Sequence, residues 1–134
     1  MRVAKIKDYV YGKTIWLTFG TNEEVSRWYE KKGINDVNEM NKYHEAFSCF
    51  IIRDEKKYEV RDIHVHFQSY GFSTIVHETN HITFYVLNDA GIQLSQETTE
   101  PFAYYQDWIS GKIRDQFEKW IAQDKKRKKK NVSK

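Results

Sequence analysis

Residues Arg2–Val10 alternate in part between apolar and polar positions, and Thr14–Phe19 is a β-branched and aromatic run. Patterning of this kind predicts two strands, and Gly12-Lys13 suits a two-residue hairpin turn between them. Thr21 followed at three residues by Glu24 resembles a capping box, so a short helix is expected to reach Lys32 and to stop at Gly33. Residues 34–45 lack a clear period and read at most as a helical turn. A second hairpin is expected, with strands Ala46–Arg53 and Tyr58–Phe67 around the charged turn Asp54-Glu55-Lys56-Lys57. In its second strand Ile63, Val65 and Phe67 share one face, while Asp62, His64 and His66 share the other.

From about Ser69 to Ala90 the period becomes helical, and Gly91 provides a stop. A loop over Ile92–Thr98 leads into a last helix expected from Thr99 to Asp124, in which Pro101 is tolerated because it lies in the first turn. Phe102, Ile109, Ile113 and Trp120 form its apolar stripe. These elements predict an α+β fold: an antiparallel sheet of about four strands packed against two long helices.

The length of 134 residues suits one domain, expected to span residues 1–124. Seven of the 22 basic residues fall between Lys125 and Lys134, so the body carries a charge near −4 although the chain totals +3. Such a run reads as a disordered, solvated tail over 125–134, and only the Lys125–Lys130 stretch offers a nucleic-acid contact. A single cysteine, Cys49, excludes an internal disulfide. With no signal-peptide pattern at the start, it points to a reducing cytoplasm. Charged residues interrupt every apolar run, and no membrane partner is expected.

One constellation carries chemistry: His77-Glu78-Thr79-Asn80-His81, on the expected second helix. Residues four apart on a helix project from nearly one side, so both imidazoles can reach one zinc ion about 2 Å away. Glu78, turned about 100° around the axis, belongs beside the ion as a general base. Phe72, Ile75, Val76, Thr79, Ile82 and Val86 gather on the other side, which turns the histidines away from the core. With five histidines and eleven glutamates in the chain, the pattern would arise by accident in roughly 1–2% of such sequences, so a metal site is the better reading.

A catalytic zinc needs a third protein ligand and an open position for water. Glu100 stands 19 positions after His81, across a helix end, a loop and a helix start; Glu97 is the nearer alternative. Here the chain resembles the gluzincins, the metallopeptidases typified by thermolysin, which pair such a helix with a glutamate on a following helix. More narrowly, His77 to Trp108, with Gly91 and the run Glu100-Pro101-Phe102-Ala103-Tyr104, is similar to small HExxH proteins encoded by bacteriophages. The resemblance covers about a third of the chain and implies zinc as cofactor, Glu100 as third ligand, a peptide or protein substrate and, for a phage protein, the host cytoplasm. Tyr104 stands where thermolysin-like enzymes have a supporting aspartate; Tyr104 and Asp107 are candidates to support a ligand, with simple packing for Tyr104 and a solvated surface position for Asp107 as the alternatives. His64 and His66 are expected either on the surface or along the strand that edges the cleft, where zinc peptidases receive extended substrates. His44 has no partner legible in the sequence. The competing reading is a virion or assembly protein with a structural, non-catalytic zinc.

Overall fold

The computed structural model describes residues 1–34, 45–55 and 58–132. Its elements run β1 (Arg2–Lys7), β2 (Thr14–Phe19), α1 (Asn22–Lys32), β3 (Ala46–Glu55), β4 (Tyr58–Phe67), α2 (Phe72–Asp89), a 3-10 turn (Gln96–Thr98) and α3 (Thr99–Val132). Local signals account for the first half. The Thr21 hydroxyl accepts from the Glu24 amide at 3.2 Å, and the Glu24 carboxylate accepts from the Thr21 amide at 3.0 Å. Gly33 takes φ 70° and closes α1 in a left-handed conformation that favours glycine. β1 ends sooner than expected because Asp8 Oδ1 accepts from the amides of Val10 and Tyr11, turning the chain into a wider loop before β2.

The four strands lie in the order β1-β2-β4-β3. β1–β2 and β3–β4 are antiparallel, but β2 and β4 pair in parallel, with Ile15 opposite Ile63 and Phe19 opposite Phe67. The sheet is therefore mixed rather than antiparallel, because α1 lies between β2 and the second hairpin and lets β4 enter beside β2 in the same direction. β4 is an interior strand and β3 an edge.

Both faces are covered. Ile15, Leu17, Ile63, Val65 and Phe67 pack against Ile82 and Val86 of α2 and against Ile109, Ile113 and Phe117 of α3. Each such side chain taken fully out of water contributes about 1.5–3 kcal/mol. On the other face Phe47 and Ile51 pack with Val25 and Tyr29 of α1. Ser110 donates to Thr79 Oγ1 at 3.0 Å and joins α3 to α2. α3 runs on through the lysines to Val132 instead of ending at Asp124; Lys and Arg are good helix formers, and every residue from Lys125 to Val132 is exposed. The basic run expected as a disordered tail is thus the solvated end of this helix. Among the described residues no helix is long and apolar enough to cross a membrane.

Candidate metal centre

His77 and His81 occupy the exposed side of α2, with their Nε2 atoms 3.2 Å apart. Two imidazole nitrogens held about 2.0–2.1 Å from one tetrahedral zinc are separated by about 3.3 Å, so the rings already stand at the spacing of two adjacent ligands. Without an ion the same geometry lets one ring N–H donate to the other ring. The core-facing assignment of α2 holds for Ile75, Thr79, Ile82 and Val86, whereas Phe72 and Val76 are exposed. Thr79, fully buried, donates to the Ile75 carbonyl at 2.8 Å, which removes the cost of its hydroxyl.

Glu78 lies on the flank of the pair. It is buried, and its Oε2 is closed off from solvent without a hydrogen-bond partner. It shares a shallow cleft of about 360 Å³ with His77, Thr74, Ser73, Ala46 and Glu45, between α2 and the start of the edge strand β3. A desolvated, unpartnered carboxylate oxygen is costly, and such orphans concentrate at sites that use them. Tyr85, one turn past His81, is a residue the motif alone does not single out. Its ring stacks on His81 with centroids 6.3 Å apart and planes at 18°, and its hydroxyl donates to the Ser48 carbonyl of β3 at 3.4 Å. Tyr85 thus ties the His81 ring to the edge strand, and burial raises its hydroxyl pKa. An aromatic four residues after the second histidine was the available signal.

The carboxylates expected as partners are not brought to the pair. Among the described residues no group of three His, Cys, Asp or Glu side chains is placed to hold a metal. Glu100 lines a different cleft, with Tyr104, against the β1–β2 loop. The reason is the stripe on α3: burying Phe102, Tyr105, Ile109 and Ile113 turns Glu100 and Tyr104 away from the histidines. Glu97 is exposed in the 3-10 turn, and Asp107 is exposed on α3 with no hydrogen bond to either ring. His44 and most of the turn expected over 34–45 lie outside the described residues.

His64 and His66 are not at a cleft edge. Both are fully buried, because β4 is interior and α1 covers the face that looked polar. Thr18 Oγ1 bridges them, 2.7 Å from His64 Nε2 and 2.8 Å from His66 Nδ1, and the Tyr29 hydroxyl meets His64 Nδ1. Tyr29 donating to His64, His64 to Thr18 and Thr18 to His66 satisfies every bridging atom with both rings neutral. Burial holds His64 well below the usual imidazole range, helped by its neighbour His66, and burial lowers His66 to about 4. This is a structural polar network. Its sequence signal, two histidines alternating on a strand, is the same one a wet face would produce.

No family model, no curated protein and no solved structure matches this chain.

Proposed function

We propose that the exposed face of α2 binds one zinc ion through His77 and His81, and that the protein is a zinc-dependent hydrolase acting on peptides, with Glu78 as general base. The observation that carries the reading is the 3.2 Å separation of the two Nε2 atoms beside the unpartnered Glu78 Oε2. Both imidazoles would coordinate through Nε2. Bound there, zinc acts as a Lewis acid that acidifies water and polarises a carbonyl.

The chain's own residues do the rest. The Glu78 carboxylate, one residue from His77 and lining the same cleft, takes the proton of the attacking water and later delivers it to the leaving amine. Tyr85 holds the His81 ring in plane through its stacking and its link to Ser48. β3, whose far side has no neighbouring strand among the described residues, borders the same cleft at Ala46 and supports an extended substrate by strand addition, a role the sequence had suggested for β4. Among the described residues two ligands converge, one short of the three protein ligands of a catalytic zinc and two short of the four of a structural one, so the reading requires a further ligand to the ion.

The test is hydrolysis of a mixed fluorogenic peptide library with zinc supplied. Glu78→Gln is expected to keep fold and zinc while lowering the rate about 10²–10⁴-fold. Zinc lost together with activity would make Glu78 a ligand and overturn the assignment of the base.

A further inference from the structure

The second cleft, about 640 Å³, lies between the β1–β2 loop and the first turns of α3. Its walls are aromatic: Tyr9 and Tyr11 on the loop, Tyr104, Tyr105 and Trp108 on the helix. The Tyr11 and Tyr105 rings stand 5.8 Å apart at 57°, and Tyr105 and Trp108 5.5 Å apart at 58°, tilted packing that shapes a concave wall. Tyr9 is 89% exposed and Tyr104 70% exposed, so both rings are open to solvent where they line the cleft.

At the base sits Asp8, only 4% exposed. Its Oδ1 accepts the Val10 and Tyr11 amides, while its Oδ2 and the hydroxyl of the similarly buried Tyr105 are both closed off from solvent and lie near one another, so that burial and then the Asp8 charge raise the pKa of that hydroxyl. Among the described residues no cation offsets this carboxylate. Lys7 lies on the rim, exposed, neither ion-paired with Asp8 or Glu100 nor seated over a ring of the cleft. Glu100 adds a second negative charge at the mouth. A desolvated negative charge behind aromatic faces favours a cation above them. Because Oδ2 is shielded, recognition runs through field and ring faces rather than hydrogen bonds, which selects a weakly hydrated alkylated ammonium over a primary amine.

We propose that this cleft is a binding site for a small alkylated ammonium ion, held by Tyr9, Tyr104 and Trp108 over the buried Asp8 carboxylate. The site is separate from the histidine pair, and its test is run with a chelator present so that zinc plays no part. The full chain is titrated with choline and with its uncharged isostere 3,3-dimethyl-1-butanol, following the Trp108 indole N–H and the Tyr9–Tyr11 amides by NMR. Choline is expected to give saturable shifts confined to these groups, with affinity about tenfold above that of the isostere. Asp8→Asn should weaken choline about tenfold, and Tyr104→Ala, at an exposed position where folding is not at stake, a few fold. Equal affinity for the two probes, no saturable shift at concentrations on the order of 10 mM, or choline affinity unchanged in Tyr104→Ala would overturn the proposal.

Discussion

Thr18→Val removes one hydroxyl and leaves two buried imidazole nitrogens without a partner. Thr18, His64 and His66 are all fully buried, and the hydroxyl lies 2.7 and 2.8 Å from the two rings. Water cannot replace it at a site with no solvent access, so each orphaned nitrogen carries a desolvation cost of about 1–3 kcal/mol. The change should therefore cost about 3–4 kcal/mol, a large part of the 5–15 kcal/mol that holds a domain of this kind together. For a chain of this length that lowers the melting temperature by roughly 10–15 °C. Thr18→Ser keeps the hydroxyl and loses only a methyl, so about 1 kcal/mol is expected. Urea denaturation of the three proteins at neutral pH measures the difference. A loss below about 1 kcal/mol in Thr18→Val, or equal losses in Ser and Val, would refute the view that the hydroxyl bridge organises this face of the sheet.

Two further outcomes follow from the same structure. The fold accommodates His66 only as a neutral ring, with a pKa near 4 against an ordinary 6.5, so stability is full above about 6.5 and falls as pH drops toward 4. The full loss is about 3 kcal/mol once pH has fallen below 4, of which about 1.5 kcal/mol is read between pH 6.5 and 5, before most carboxylates titrate; a flat profile there contradicts the neutral network. Truncation after Asp124 should leave the melting temperature within a degree or two, since residues 125–132 are exposed and Asp124 keeps its ion pair with Arg2; a larger drop would mean that the basic end packs on the body.

Much of the fold was legible because its signals are local. The Thr21–Glu24 box, Gly33, the two hairpins and the α2 and α3 stripes each act within a few residues. What was not legible depends on pairing across the chain. The parallel register of β2 with β4 joins Ile15 to Ile63, and nothing near either residue reports it. The period-two pattern places Asp62, His64 and His66 on one face but cannot say whether water or α1 covers that face. The histidine clamp was legible because helical spacing alone brings His77 and His81 together. Glu100 was not, since the α3 stripe was legible but the way α3 packs against α2, which sets Glu100 beside the β1–β2 loop, is not a local signal.

The central claim is that His77 and His81 form a zinc site on α2. Zinc titration followed by X-ray absorption at the metal edge tests it most directly. One ion per chain is predicted, with two imidazole nitrogens at about 2.0–2.1 Å, lost in His77→Ala and in His81→Ala and unchanged in Glu100→Ala. No zinc bound to the intact chain, or a metal whose ligands survive both histidine substitutions, would contradict it.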